Sequence, residues 1–453
     1  MPQPTLSAIL SCISDYDPHA LPVARAQHII ERVICPIQSV EQVALRSSLG
    51  RVLARDILSP INVPAHDNSA MDGFALRAHE LTNELPTEAD SNTDKPHNES
   101  HNESHTESQS GREFVICGTA LAGQPFQGQV LPGQCVRIMT GGVMPAECDA
   151  VVPQEFTQPV NEHAVRIPPQ CVKPGDNRRL KGEDLALGQV ALHKGKIVRP
   201  ADLGLLASLG QAEVAVQRRL RVAFFSTGDE LRSVGETLDV GCVYDSNRYT
   251  IYGMLQRMGC DVIDMGVIKD DPVTLEAAFK SACENADAVI TSGGVSVGAA
   301  DYTKQIMGKL GEVAFWTIGM RPGRPMAFGH IQSNGKQAYL FGLPGNPVAV
   351  MVTFYFFARA ALYHLMGAQV PALPLLKARS KHALRKKPGR TEYQRGILSH
   401  DANGRAQVEV TGAQGSGILR SMSEANCMIV LAHEQGHVEA GDEVDVLLFE
   451  GLL

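Results

Sequence analysis

Three apolar runs with strand character, LRVAFFST from Leu220, CDVIDMGV from Cys260 and DAVITS from Asp287, alternate with three segments of helical spacing, SNRYTIYGMLQRM, PVTLEAAFKSACEN and DYTKQIMGKL. Parallel strands need helical crossovers that cover the sheet, so this alternation predicts a doubly wound, mostly parallel α/β sheet. Such a sheet binds ligands at the carboxyl ends of its strands. Here those ends read STGDE, IKDD and TSGGVSVG. The last lies within residues 286–301, ADAVITSGGVSVGAAD, where Gly293, Gly294 and Gly298 let the backbone turn its N–H groups toward an anion. The segment closes on Asp301. A carboxylate beside a phosphate repels it unless a hard cation such as Mg²⁺ lies between them, which points to metal-assisted phosphate or pyrophosphate chemistry. Taken alone, the segment also reads as a plain glycine turn, since such strand-to-helix turns are common in α/β proteins.

At 453 residues the chain exceeds a single core and divides into about three or four units. Hydrophobic residues at 44% and charged residues at 20% are ordinary globular values, so composition excludes neither enzyme nor scaffold. No apolar run approaches the ~20 residues of a membrane span, and the N-terminus lacks a basic region before its short apolar stretch, so a cytoplasmic location is expected. A net charge of -8 argues against nonspecific nucleic-acid binding, and no nucleic-acid motif is present. The ten cysteines show neither C-x-x-C nor Cys/His clustering. Reduced core thiols are expected, with Cys117, Cys260 and Cys283 in apolar patterns.

The expected organisation is a helical linker module in two segments, 1–65 and 190–218, interrupted by an inserted β-rich domain over 66–189. The α/β domain spans 219–369 and ends on a long apolar helix after YLFGLPGNP, and a small β domain occupies 370–453. Within the insertion, about 83–112, the repeat HNESHNESHTES reads as a structureless loop. Its His97, His101 and His105 recur every four residues and would gather on a helix to bind a transition metal, but the intervening Asn, Ser and Thr are poor in helix interiors. Asn98 and Asn102 match glycosylation acceptors, which carry no meaning without a secretory signal.

Four acids are reachable from the strand ends of the α/β domain: Glu230, Asp245, Asp270 and Asp301. Together they suit a metal site, although each alone is commonly a helix cap or a solvated loop acid. Thr227, Gly228, Ser292, Gly293, Gly294 and Ser296 supply hydroxyls and backbone N–H groups that suit phosphate oxygens. Arg321 and Arg324, in MRPGRPM, offer planar recognition of oxyanions or form an exposed basic turn. Pro344, Gly345 and Asn346 lie in GLPGNP before the apolar helix, whose N-terminus attracts anions or is simply capped there. Asp67 and Asp72 in HDNSAMDGF mark a polar loop that is either functional or an Asx-type turn.

In order, DNSAMDGF, RIMTGG, RRLKGED, STGDEL, YDSNRY, DDP, SGGVSVGAADYTK, RPGRPMAFG and GLPGNPVA resemble the MoeA-type molybdopterin molybdenumtransferases, the family that includes the E domains of gephyrin and of the plant molybdenum-insertion enzymes. Any one piece is easily matched by chance, whereas the ordered set over nearly the whole chain is specific. The resemblance implies an elongated, four-domain homodimer whose active site is shared between subunits. It implies insertion of molybdenum from molybdate into adenylylated molybdopterin with release of AMP, in the presence of a divalent cation such as Mg²⁺. Contacts with a molybdopterin adenylyltransferase and with apo-molybdoenzymes follow from the same pathway.

Position by position, Asp67, Thr140, Asp184, Glu230, Asp270 and Asp301 match the family's functional polar residues. The resemblance assigns Glu230, Asp270 and Asp301 to the metal and nucleotide, and Asp67, Thr140 and Asp184 to completing the site from the other subunit. Arg321 and Arg324 stand where many members have lysines, and Arg390 and Ser416 match positions that hold molybdate. Two features depart from the pattern. Thr317 occupies a position where bacterial relatives often have lysine, and the histidine-rich insertion has no counterpart. A gephyrin-like scaffold that has lost catalysis and a molybdopterin adenylyltransferase remain as alternatives.

Overall fold

The computed structural model describes residues 6–11, 16–82, 111–295 and 301–452. The histidine-rich repeat, Ser296 and Gly298 therefore lie outside the described residues, as does the side chain of Asp301. The chain forms two compact units, Asp56–Leu192 and the remainder, Met1–Arg55 with His193–Leu453.

The α/β part of the larger unit is a six-stranded sheet. Its order is Asp261–Ile268, Arg221–Thr227, Ala288–Ser292, Lys336–Leu343, Pro325–Ser333 and Gly311–Thr317. The first four strands run parallel, and the last two add antiparallel. Its central strands are apolar throughout because both faces are covered. Side chains alternate between the faces with a period of two. Val222, Phe224, Ala288, Ile290 and Phe341 enter one core, while Ala223, Phe225, Val289 and Leu340 enter another. Each large side chain so buried contributes roughly 1.5–3 kcal/mol. The helix Pro272–Asn285 starts where Asp271 accepts from the backbone N–H groups of Val273 and Thr274, at 3.4 and 2.9 Å, just before a proline suited to the first turn.

The apolar helix after GLPGNP runs continuously over Pro347–Leu365, with a π-helical stretch at Phe354–Ala358. At 19 residues and a mean hydropathy of 1.5 it is long and apolar enough to cross a membrane, which corrects the expectation that no run approaches that length. Its apolar window is 78% buried inside the protein, so its composition is that of a core helix. At the C-terminal end, Thr391–His400, Ala406–Val410, Leu376–Ser380, Glu443–Leu448 and Cys427–Leu431 pair in that order, and the last returns to Thr391–His400. The sheet thereby closes into a barrel.

The segments flanking the insertion are not purely helical. Val40–Ala44 pairs antiparallel with Glu213–Gln217, and the chain leaves and returns side by side, with Leu53 donating to Lys196 and Val198 to Arg51. Inside the smaller unit, Ile57–Leu58 likewise pairs with Val190–Leu192. That unit is built on a six-stranded sheet of order Ala150–Pro153, Gly73–Leu76, Gln134–Ile138, Arg112–Ala120, Ala164–Ile167 and Gln158–Asn161. Nine cysteines among the described residues are unpaired, and burial pushes the thiols of Cys135, Cys148 and Cys260 up to about 12, which makes them inert.

Candidate functional site

From Arg221–Thr227 the chain passes to a neighbouring strand on one side, Asp261–Ile268, and then to Ala288–Ser292 on the other. The connections diverge between Arg221–Thr227 and Ala288–Ser292, and the crevice at such a switch point is the usual ligand site of open α/β sheets. Ser226 and Ser292 are paired there. Gly293 and Gly294 follow with φ of 94° and 70°. A Cβ on Gly293 would lie 2.6 Å from the Thr227 carbonyl oxygen, and one on Gly294 would lie 2.9 Å from Thr303 Cγ2. Only glycine allows this turn to approach the neighbouring strand end so closely.

The neighbouring GLPGNP turn is tied to the same place. Gly293 N donates to the Leu343 carbonyl at 3.1 Å, and Asn247 Nδ2 donates to Ser292 Oγ at 2.8 Å and to the Gly345 carbonyl at 2.6 Å. Thr227, Ser292, Gly293, Gly294, Pro344 and Gly345 are thus brought together. Asn346 precedes the helix and is exposed, with no side-chain cap bond. Buried side-chain oxygens on Ser226, Asp245, Asn247, Thr291 and Thr303 have no partner among the described residues. Buried polar atoms normally find partners, so their concentration in and beside this crevice suits a polar ligand. Asn247 was not marked by the sequence, because an asparagine in the first turn of a helix is commonplace.

The acids separate into different roles. Asp245 caps the helix Ser246–Arg257 through Arg248 N at 3.1 Å. Because Asp271 is the cap of the next helix, the adjacent Asp270 is left to face Thr227, whose hydroxyl donates to it at 3.5 Å. Burial, then the charges of Asp229 and Glu230, push the Asp270 carboxyl above its ordinary range, against the Thr227 hydrogen bond. Asp229 joins this acidic group, although as one loop acid beside Glu230 in STGDE it carries no signal of its own in the sequence. Among the described residues no group of three or more His, Cys, Asp or Glu is gathered to hold a metal ion. Glu230 and Asp270 nevertheless present hard oxygen donors whose mutual repulsion a divalent cation would relieve, so they fit Mg²⁺ as part of a donor set. Asp301 begins the helix Asp301–Leu310.

In the smaller unit three polar loops meet. Arg178 pairs with Asp67, and Lys181 N donates to the other carboxylate oxygen at 2.7 Å. These contacts, the Arg178 hydrogen bond foremost, hold the Asp67 carboxyl below its usual range. Thr140 donates to Asp72 Oδ1 from its backbone N and its hydroxyl, at 2.6 and 2.7 Å. Gly141 N to the Ser69 carbonyl and Met144 N to the Asp67 carbonyl lace the two loops together, at 2.9 and 2.8 Å. Asp184 stands exposed three residues beyond Lys181, its backbone N–H bonded to the Val63 carbonyl at 3.1 Å.

A third region lies at the barrel. Arg321, Arg385, Glu392, Gln394, Arg395 and Gln414 line a cavity of about 240 Å³. Arg321 and Arg385 are exposed and form no ion pair with a described residue, while Glu392 is engaged by Arg390 at 2.7 Å. Arg390 therefore contacts a carboxylate rather than lining this cavity. Arg324 is exposed and its carbonyl accepts from Ile318 N at 2.7 Å, and the Ser416 carbonyl accepts from Val348 N at 3.0 Å. Thr317 ends an edge strand, and its backbone bonds to Pro18 and Leu21. A larger apolar groove of about 640 Å³, including Val23, Phe356, Tyr363 and Leu373, contains none of the expected site residues.

A switch-point crevice lined by glycine turns and acids, in a chain that also carries an inserted β unit and a closed barrel, defines a multidomain α/β protein with a polar ligand crevice at its sheet. Family models agree on the particulars. Residues 21–210 match the MoeA N-terminal region (domain I and II), 223–364 a probable molybdopterin binding domain, and 377–449 the MoeA C-terminal region (domain IV). The molybdopterin molybdenumtransferase of Haemophilus influenzae is 40% identical over 94% of this chain and 97% of its own length. That of a Nostoc species is 34% identical over 90% and 89%. The crystal structure of the molybdopterin biosynthesis MoeA protein from Pyrococcus horikoshii superimposes with a TM-score of 0.76 at 26% identity, covering 95% of this chain and all of that one. The chain belongs to the MoeA family of molybdopterin molybdenumtransferases.

Proposed function

We propose that this chain inserts molybdenum from molybdate into adenylylated molybdopterin and releases AMP, the last common step of molybdenum cofactor biosynthesis. The observation that carries the reading is the placement of the 292–294 turn against Thr227, which in turn bonds Asp270, at the switch point of the sheet. Thr227 and Ser292 offer hydroxyls to phosphate oxygens, and Gly228, Gly293 and Gly294 allow the close approach of backbone. Glu230 and Asp270, with Asp301 from the following helix, would hold Mg²⁺, which when bound neutralises the pyrophosphate charge. Pro344, Gly345 and Asn346 present the start of the apolar helix to the same ligand. Arg321, on the wall of the cationic cavity at the barrel, serves the second anion, molybdate, and the reading assigns Arg324, Arg390 and Ser416, which do not line that cavity, to the same anion from outside its wall.

The reading includes a cytoplasmic homodimer in which Asp67, Thr140 and Asp184 complete the partner's site, and transfer of product to apo-molybdoenzymes. The same acids and glycine turns, in place here, disfavour a scaffold that has lost catalysis. The test is incubation with adenylylated molybdopterin, molybdate and Mg²⁺. Molybdate-dependent AMP release together with reconstitution of an apo-molybdoenzyme is expected. Transfer of AMP from ATP onto free molybdopterin, with no insertion, would overturn the reading in favour of an adenylyltransferase.

A further inference from the structure

Arg395 lies in the middle of the barrel strand Thr391–His400, where an arginine reads from sequence as a surface residue, yet it is only 1% exposed. Its guanidinium bonds no carboxylate among the described residues. Nε donates to Ser421 Oγ at 2.9 Å, Nη1 to the Gln414 carbonyl at 3.3 Å, and Nη2 to the carbonyls of Ala413 and Gly415 at 3.4 and 2.9 Å. The main chain repeats the grip: Arg395 N donates to Gln414 Oε1 at 2.8 Å, and Thr411 N donates to the Arg395 carbonyl at 3.0 Å. One side chain therefore fixes successive carbonyls of the loop that leads directly into Ser416. The Ser416 carbonyl in turn accepts from Val348 N, one of the first-turn donors that a helix cannot satisfy internally.

We propose that Arg395 is a positioning residue for oxyanion binding: it sets the 413–416 loop against the start of the helix Pro347–Leu365 and leaves a fixed, uncompensated positive charge on the wall of the cavity that holds Arg321 and Arg385. The ligand class is a tetrahedral oxyanion. The inference rests on the reading that Arg321 and Ser416 serve molybdate. Burial and the nearby charge of Arg321 bring the Arg395 pKa down to about 10, which still leaves it protonated at neutral pH. A lysine could keep the charge but cannot span the carbonyls of 413, 414 and 415 together with Ser421, because its ammonium is a point donor and not a planar fork.

The test measures steady-state AMP release by Arg395→Lys, Arg395→Met, Ser421→Ala and Ser416→Ala, with melting temperatures in parallel. Arg395→Lys is expected to raise KM for molybdate about tenfold, the scale of losing hydrogen bonds to a charged group, while KM for adenylylated molybdopterin moves less than about twofold. Arg395→Met is expected to do the same or more. Wild-type molybdate KM in Arg395→Lys overturns the positioning role and leaves charge alone as the requirement. Equal losses in both KM values, scaling with the fall in melting temperature, also overturn it in favour of a purely structural brace. If the arginine variants do not fold, Ser421→Ala decides, since it releases one arm of the fork: a rise of about threefold in molybdate KM supports the proposal and no change refutes it. Ser416→Ala separates the two levels. Should it leave molybdate KM unchanged while Arg395→Lys raises it, the assignment of Ser416 fails; the converse pattern sinks only the role of Arg395.

Discussion

Replacing Gly293 by alanine tests the steric logic of the crevice with the least chemical change. Two costs add. The backbone at φ 94° lies in the region that a Cβ disfavours, a penalty of about 1–2 kcal/mol. The new Cβ would also sit 2.6 Å from the Thr227 carbonyl oxygen, inside the 3.0 Å that real Cβ contacts respect, so the turn must move away from the strand end. That movement stretches the bond from Gly293 N to the Leu343 carbonyl, worth about 1 kcal/mol. The expected loss is about 2–3 kcal/mol, or roughly 4–12 °C in the melting temperature of the α/β domain. Because the displaced turn is the proposed phosphate cradle, binding of adenylylated molybdopterin, measured by calorimetry, should weaken more than binding of molybdate. Gly335→Ala is the control: its φ is 72° but nothing lies within 4 Å of the added Cβ, so it carries the backbone cost alone. If the two variants lose the same stability and Gly293→Ala binds the adenylylated pterin normally, the close approach at Thr227 is not what that glycine is for.

Asp270 and Asp271 should behave oppositely although adjacent. Asp271→Ala removes a helix cap and is expected to lower the urea unfolding midpoint with turnover kept, whereas Asp270→Asn should abolish most Mg²⁺-dependent AMP release. Since the Asp270 carboxyl is pushed up on folding, its ionisation opposes folding above its folded pKa and has no effect below its unfolded one. Asp270→Asn should therefore melt higher than wild type at pH 7, and the difference should vanish as pH falls through the ordinary carboxylate range. Asp67 carries the reverse sign: its lowered pKa means stability present above the ordinary carboxylate pKa and lost as pH falls through the depressed folded value. Arg178→Ala should lower the melting temperature of the inserted unit at pH 7, by about 1 kcal/mol or less in stability, with the deficit shrinking below about pH 4; a deficit independent of pH would argue for packing instead. Glu230→Ala is expected to impair metal-dependent turnover more than folding, and unchanged turnover would remove Glu230 from the site.

The α/β domain was legible because its signals are local. Strands buried on both faces read as unbroken apolar runs, and Pro272 after Asp271 marks a helix start within three residues. The crevice was legible for the same reason, since glycine turns at strand ends fall in sequence next to the strands that place them. What escaped depends on distant pairing. Barrel closure joins Thr391–His400 to Cys427–Leu431, and the ribbon joins Val40–Ala44 to Glu213–Gln217 across the whole insertion. Burial of Arg395 is decided by a loop some twenty residues later folding over it, and nothing in QRG announces that contact. Asp270 and Asp271 are equivalent on paper; only the direction of the helix assigns one to the cap and the other to Thr227.

The paired ends of the insertion have a consequence for how the chain tolerates change. Val40–Ala44 pairs with Glu213–Gln217 within the larger unit, and Ile57–Leu58 pairs with Val190–Leu192 within the smaller, so each unit clasps its own pair of ends. The larger unit holds its two chain ends together by its own strand pairing, whatever number of residues lies between them in sequence. Lengthening a flexible loop within the insertion adds closure entropy that grows only with the logarithm of the loop's length. A stretch such as the histidine-rich repeat can thus be gained or lost without re-registering a single strand of the α/β sheet.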